Sequence, residues 1–500
     1  MQRRNFLAAA AAAPAGLATP LQAEGGPSGT RVYGPGPAAI LNYSAEEHRR
    51  RLVNIAHAER SVRKCLRKHR ITSYIPGQVA YHLGEYPARK PYELGTDYDE
   101  RELDRLFKDG IRLVQVMEEW NDLLRLFGGD KFTAVNDRGL RRFIDMVHRR
   151  GMKMLLYIST GHFQRTDRDF DQDWARPGYS ARGAHWQLAG CSPASPKWRA
   201  YVLPRILRVL DDYELDGLYN DAASKRLYVN PQQATKDEVL AFEETETHEG
   251  AREDLFALIY SEVKRRGGIV KVHYVGSHIP QMEQLWDYVW VGEGANNADK
   301  TREECKNHPP YVVPCLDLST AQVENDDELY LHSIPYMQFP LLLAGRPFTG
   351  ERSSVPGVEY QPEDKDPLLK RWRRIWRHYQ AHPEGPYVYG PWDAFPPRPR
   401  AREVHARWLQ RYLPMIEEGT LAYLQVTDST LFGAPLPPNV VASVFVNLKT
   451  YVVLANYSHN QVLVETAHAY SRDEPQGGVR SGKRWTLAPR SLEILVRTEV

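Results

Sequence analysis

At 500 residues the chain is too long for one small domain and suits a barrel-sized unit with an appendage. Its 65 basic and 63 acidic side chains leave a formal charge of +2, so no global field draws it to nucleic acid or to a membrane surface. Eleven Trp and 28 Tyr supply either a large core or aromatic faces of the kind that pack on the apolar C–H groups of sugars.

The first 23 residues read as an address. Met1-Gln-Arg3-Arg4-Asn-Phe6-Leu7 precedes an Ala-rich apolar run and the small-residue end Leu21-Gln22-Ala23, which is the layout of a cleaved export signal. Arg3-Arg4 with Phe6-Leu7 matches the twin-arginine type, so the expected partner is the twin-arginine export machinery and the expected location is the periplasm or beyond. The apolar run is too short to span a bilayer, and no other segment has membrane length. Residues 24–70 read as a Gly/Pro/Ala-rich linker followed by a helix. Ser44-Ala45-Glu46-Glu47 has the form of a capping box. The basic helix it opens is expected to reach about Arg70, with Leu52, Ile55, Val62 and Leu66 on one stripe.

From residue 71 apolar strands alternate with amphipathic helices, the pattern of a parallel α/β fold. Eight strands are expected: 71–79, 111–117, 152–158, 215–219, 269–274, 288–291, 311–316 and one near 340–346. Helices are expected over 137–150, 196–213, 253–266, 366–380 and 402–418. Gly267-Gly268 stops the third of these. Eight strand–helix repeats favour a closed (β/α)8 TIM barrel over 71–418. There is no Gly-x-Gly-x-x-Gly turn and no phosphate-binding Walker loop. After Gly419 short strands near 440–448, 451–457, 461–465 and 492–496 alternate with turn residues, which predicts a C-terminal β-sandwich over 419–500.

A barrel enzyme builds its site at the C-terminal ends of its strands, and the acidic residues gather there. The second strand ends near Glu118, Glu119 and Trp120. His162 follows the third, Asp221 ends the fourth, His273 and His278 lie at the fifth, Glu293 ends the sixth, Asp317 the seventh, and Glu351 with Arg352 follows the eighth. Acidic residues at these points also cap helices, but Asp221 and Glu293 directly follow apolar strands with no helical pattern close behind. Aspartate is poorly suited to a strand, so Tyr213-Glu-Leu-Asp216-Gly-Leu-Tyr-Asn-Asp221 invites a chemical explanation. Glycoside hydrolysis needs one carboxylate and one carboxylic acid, and the acid needs a raised pKa from an apolar surround. Trp286, Tyr288 and Trp290 precede Glu293. Asp221 is therefore the expected nucleophile and Glu293 the acid/base. Trp120, Tyr157, His162, Trp174, Trp186, His273, Asp317 and Arg352 are the expected substrate-lining residues. Asp216 reads as structural, since Asp-Gly opens its strand.

Asp167, Asp169, Asp171 and Asp173 alternate in the loop after the third strand. They lack the glycine and distal glutamate of a calcium loop, so a solvated acidic loop is expected. Cys65, Cys191, Cys305 and Cys315 have no zinc spacing. Cys191 and Cys305, both expected in rim loops, could pair or stay free. No metal and no cofactor is expected.

The stretch Ala189-Gly-Cys191-Ser-Pro-Ala-Ser-Pro-Lys-Trp-Arg199, then a helix, then Tyr213 to Asp221 resembles barrel glycoside hydrolases. It is similar to the clan containing α-galactosidases and α-glucosidases and to related uncharacterised bacterial families. The resemblance implies an aspartate nucleophile after the fourth strand, an acid/base carboxylate after the sixth, retention of configuration and a terminal β-sandwich. The chain differs in having Glu293 where the best-known members carry Asp, and Tyr219-Asn220-Asp221 in place of Lys-x-Asp. The expectation is an exported glycoside hydrolase acting on an oligo- or polysaccharide. Two alternatives come from other classes. One is a non-catalytic carbohydrate-binding barrel. The other is a metal-dependent hydrolase, for which Val79-Ala-Tyr-His82 lacks the His-x-His of the first strand.

Overall fold

In the computed structural model, described residues are 43–83, 95–117, 120–121, 132–134, 136–164, 167–175, 188–221, 246–275, 285–293, 297–308, 311–314, 327–345, 381, 400–473 and 478–497. Ser44 and Glu47 form the expected capping box at the start of α1 (Ala45–Ser61). The helix does not reach Arg70. Val62–Arg70 is instead a strand, β1, in which Leu66, Lys68 and Arg70 are exposed while Cys65, Arg67 and His69 are less so. That alternation is the period of a strand. The segment read as the end of a linker helix thus belongs to the appendage.

Eight parallel strands follow: β2 (Gln78–His82), β3 (Leu113–Val116), β4 (Lys153–Ser159), β7 (Gly217–Asp221), β8 (Ile269–Val275), β9 (Tyr288–Glu293), β10 (Val312–Pro314) and β11 (Leu342–Gly345). Their order is β10-β9-β8-β7-β4-β3-β2-β11. The amide of Leu341 donates to the carbonyl of Pro314 at 3.1 Å, which joins the two ends of the sheet into a ring. All eight expected strands are present. The helices α2 (Asp97–Lys108), α3 (Asp137–His148), α4 (Pro196–Asp212), α5 (Glu246–Arg265), α6 (Ala298–Cys305), α7 (Glu328–Ser333) and α8 (Ala401–Tyr412) accompany them. A small antiparallel ribbon of β5 (His162–Gln164) and β6 (Leu188–Gly190) rises from the loop after β4. The helix expected over 366–380 lies outside the described residues.

The first barrel strand begins at Gln78 rather than at Ile71, because the preceding backbone has other partners. Tyr311 donates its hydroxyl proton to the Thr72 carbonyl at 2.6 Å, and Tyr288 OH accepts from the Ile75 amide at 2.9 Å. Tyr74 stacks on Tyr311 at 4.2 Å. Tyr288 opens β9 and Tyr311 precedes β10, so residues 71–77 cross the N-terminal end of the barrel on a bed of tyrosines.

The appendage is a seven-stranded antiparallel sheet in the order β1-β12-β13-β14-β17-β15-β16, with β12 (Leu421–Ser429), β13 (Val440–Val446), β14 (Thr450–Asn456), β15 (Val462–Asp473), β16 (Val479–Leu487) and β17 (Ser491–Arg497). The sequence predicts no strand for β1, β12 or β16; β1 and β16 are basic and lack an apolar run. Alternation then divides the sheet. Val444, Val446, Val452, Leu454 and Leu495 face a small core closed by Trp485. Phe445, Tyr451, Val453, Ala455 and Ile494 face the core of the barrel. Each buried Val, Leu, Ile or Phe side chain contributes about 1.5–3 kcal/mol, so the second set holds the sheet against the barrel.

Arg490, at φ 46° in the turn before β17, reaches across to the barrel. It donates to Asp299 Oδ2 at 3.0 Å and to Glu328, which is 1% exposed. Arg302 adds a bond to Asp299 at 2.9 Å and lies over the Tyr457 ring at 3.8 Å. Among the described residues, Asp299, Glu328 and His332 are the set with spacing suited to a metal. The two guanidinium groups occupy its carboxylates, which makes it an ion-pair staple between barrel and sheet.

Candidate active site

Asp216 and Gly217 set the entrance to the strand that carries the site. Asp216 is at the N-terminal end, where its carboxylate accepts from the Met154 amide at 2.9 Å and from Lys153 Nζ at 2.7 Å, with His148 Nε2 at 2.8 Å. Burial pushes the Asp216 carboxyl up, but these bonds outweigh it and hold the pKa below its ordinary value. A side chain at Gly217 would collide with the carbonyl of Ile269 on β8. Glycine is therefore what allows β7 and β8 to meet, and the expectation that Asp216 is structural holds.

Five residues of β7 carry the chain to the opposite end of the barrel, where Asp221 is the last strand residue. Register aligns Ser159 of β4, Asp221 of β7 and His273 of β8 side by side. Tyr157 donates its hydroxyl proton to Asp221 Oδ2 at 2.6 Å, and His273 Nδ1 lies 2.9 Å from Oδ1. Burial pushes the Asp221 carboxyl up. The His273 imidazole, the nearby His162 and the Tyr157 hydroxyl together outweigh that and hold the group well below the usual carboxylate range. An ionised carboxylate only accepts hydrogen bonds, so His273 carries its proton on Nδ1 and donates. The Asp221 side chain is 22% exposed against 6% for His273: the carboxylate is both fixed and open to a ligand. Fixed donors on an ionised carboxylate suit a nucleophile or a stabiliser of positive charge, not an acid.

A rigid surround holds this pair. Trp120 Nε1 donates to the carbonyl of Tyr157 at 2.8 Å, and Trp198 Nε1 to that of Thr160 at 3.0 Å. Thr160 donates to Asn220 Oδ1 at 3.1 Å, which ties the end of β4 to the residue before Asp221. Ser195 caps α4 by accepting from the Trp198 amide, with Pro196 in the first turn. The Trp290 ring lies 4.2 Å from that of His273. Below the rim Lys271 reaches across the barrel interior to Gln78 Oε1 at 3.0 Å. Sequence reasoning passed over Lys271, Gln78, Thr160 and Asn220. The signal for Lys271 was present, since a lysine in the middle of Ile-Val-Lys-Val-His-Tyr-Val is unsuited to a strand buried on both faces.

Other expected residues are placed differently. Trp120 and Trp174 are buried, at 2% and 4% exposure, and offer no stacking face. Trp120 supports Tyr157. Trp174 packs with Phe163, Trp198 and Tyr201 at 4.5–5.2 Å in the loop after β4. Bulky rings in that loop fill its own small core before any ligand arrives. His162 starts β5 close enough to act on Asp221. Glu293 ends β9, the sixth barrel strand, just past a register irregularity between β8 and β9 and after Gly292 at φ 114°. Its side chain lies outside the described residues, as do Trp186, Asp317 and Arg352. The acidic loop is tied to α4: Lys197 pairs with Asp171 and Asp173, and Tyr201 donates to Asp169. Cys191 and Cys305 are buried thiols that form no disulfide. Cys305 ends α6, and burial pushes its thiol up to about 12.

No protein-family model matches the sequence, and none of the curated proteins matches it. Solved structures do. The chain is similar to the trehalulose synthase MutB from Pseudomonas mesoacidophila MX-45 at 10% identity over 84% of this chain and 99% of that one, with a TM-score of 0.51. It has the same 10% identity to a MutB variant in complex with the substrate sucrose, over 85% of this chain and 99% of that one, at 0.52. A noncanonic maltogenic alpha-amylase, AmyB from Thermotoga neapolitana, aligns at 11% identity over 84% and 98%, at 0.49. The shared feature is the fold. It is a (β/α)8 barrel with a β domain after it, as the stretch from Ala189 to Asp221 implied.

Proposed function

We propose that the protein is a glycoside hydrolase in which Asp221 is the reacting carboxylate. The observation that carries this reading is the state of Asp221: ionised, fixed by Tyr157 and His273, partly open, and at the C-terminal end of the fourth barrel strand. In this mechanism Asp221 attacks the anomeric carbon while Glu293, two strands along, protonates the leaving oxygen. Water then enters with Glu293 acting as base, and configuration is retained. The likeness in fold to an enzyme crystallised with sucrose supports a glycosidic substrate, an oligo- or polysaccharide. The alternative of a binding-only barrel loses two of its expected sugar platforms with the burial of Trp120 and Trp174.

Export by the twin-arginine route completes the proposal. It rests on the first 23 residues, and no helix among the described residues is long and apolar enough to cross a membrane. N-terminal sequencing of the protein recovered from its host, starting after Ala23, is the expected result.

The decisive experiment is a screen against aryl glycosides and natural glycans, repeated with Asp221→Asn and Glu293→Gln. Turnover by the wild type and its loss in both variants is the expected outcome. Undiminished turnover in Asp221→Asn overturns the assignment, and sugar binding without cleavage of any substrate favours the binding barrel.

A further inference from the structure

The near-neutral total hides a local excess. Residues 43–70 hold nine arginines and lysines against three acidic side chains, a local +6 in a chain whose total is +2. Some of that charge turns inward, where Arg51 bonds the Gly419 carbonyl and Arg67 that of His308. The rest points outward, with Arg49, Arg50 and Arg60 exposed on α1. Lys68 of β1 meets Glu59 of α1 at 2.5 Å, so helix and strand form one surface. The His57 ring of α1 lies 5.7 Å from His468 of β15, which extends that surface to the last hairpin. Both histidines register the charge. Burial lowers their pKa first, then Arg497 acts on both, with Arg60 acting on His57 and Lys483 on His468.

Aliphatic side chains sit in the middle of this field. Positions 49, 52, 53, 56 and 60 share one stripe of a helix. Leu52 is 49% exposed and Val53 53%, with Arg49 before them and Arg60 after. A soluble polyanion would engage the arginines but gain nothing from a leucine and a valine. A bilayer uses both: the aliphatics enter the acyl boundary, and arginine stems let the guanidinium groups reach headgroup phosphates.

We propose that the exposed face of α1 docks the protein on an anionic lipid surface. The proposal is independent of the glycosidase reading. The test is co-sedimentation of the full chain with phosphatidylcholine vesicles, with and without phosphatidylglycerol. Binding should need phosphatidylglycerol and weaken with salt. Neutralising a surface arginine, as in Arg49→Gln or Arg50→Gln, should lower the partition about fivefold each. Leu52→Ser with Val53→Ser should also lower it, with an unchanged melting temperature because both side chains are on the surface. Residues 1–23 are common to all these proteins, so differences between them report α1. Equal binding to neutral vesicles overturns the proposal. So does binding that survives the Leu52/Val53 pair of substitutions and is displaced by dextran sulfate, which would mark a surface for soluble polyanions.

Discussion

Tyr157 and Asp221 lie on adjacent strands two residues out of register, and the tyrosine hydroxyl bridges that offset to meet the carboxylate at 2.6 Å. The long side chain rises one layer of the barrel to place a donor beneath the rim. Its own carbonyl is held by Trp120, so the donor and its strand are fixed from opposite sides.

Removing the carboxylate should abolish chemistry and spare the fold. Asp221→Asn keeps the shape and leaves a neutral amide beside His273. Its kcat should fall on the order of 10³-fold or more, the scale seen when a reacting group is lost. Thermal melting distinguishes this from unfolding.

Tyr157→Phe keeps the ring against Tyr219 but removes one hydrogen bond to a charged acceptor. Such bonds contribute about 1.5–3 kcal/mol, so kcat/KM should fall roughly 10- to 100-fold. The Asp221 pKa should rise, and any acid limb of the rate profile should move to higher pH. A rate loss with an unmoved acid limb would show that the hydroxyl acts otherwise.

The pH dependence of stability follows from the depressed Asp221 pKa. A carboxyl whose folded pKa lies below its unfolded value of about 3.9 contributes stability above that pH and loses it as pH falls through the folded value. Urea unfolding of wild type and Asp221→Asn from pH 6 downward reads this contribution. The gap between them should narrow below about pH 4.

Trp120→Phe tests the corrected role of that residue. The indole N–H bonds the buried Tyr157 carbonyl, and leaving that acceptor unpaired costs about 1–3 kcal/mol. Melting should fall while KM stays near its wild-type value. A raised KM with unchanged stability would restore Trp120 as a sugar contact.

Arg490→Met takes the guanidinium away from the buried Glu328, beside which His332 remains at 3.5 Å, and should destabilise the protein by about 3–5 kcal/mol. Adding Glu328→Leu should recover most of the loss, since an apolar pair of similar volume replaces the ions. Calorimetry of the two variants checks both halves.

The barrel was legible because buried parallel strands are continuous apolar runs separated by helical periodicity. Asp221 stood out because an aspartate ending Leu-Tyr-Asn-Asp contradicts strand propensity, and Asp216-Gly217 marked the opposite end of the same strand. The basic segment after α1 was misread, because Leu52, Ile55, Val62 and Leu66 satisfy a helical stripe while strand pairing with β12 depends on residues more than 350 positions away. Net charge is blind to this segment, since it averages a basic stretch over 43–70 against an acidic remainder.

What the sequence determined by itself was local: the alternation of strand and helix, the glycine at the crowded entrance of β7 and the carboxylate at its end. Tertiary structure decided which side chains meet. Trp120 and Trp174 are apolar enough to serve as core or as sugar platform, and only packing chose core. Asp221 is ionised because register sets His273 beside it and Tyr157 one layer below. Register is a property of neighbouring strands, and no single stretch of chain contains it.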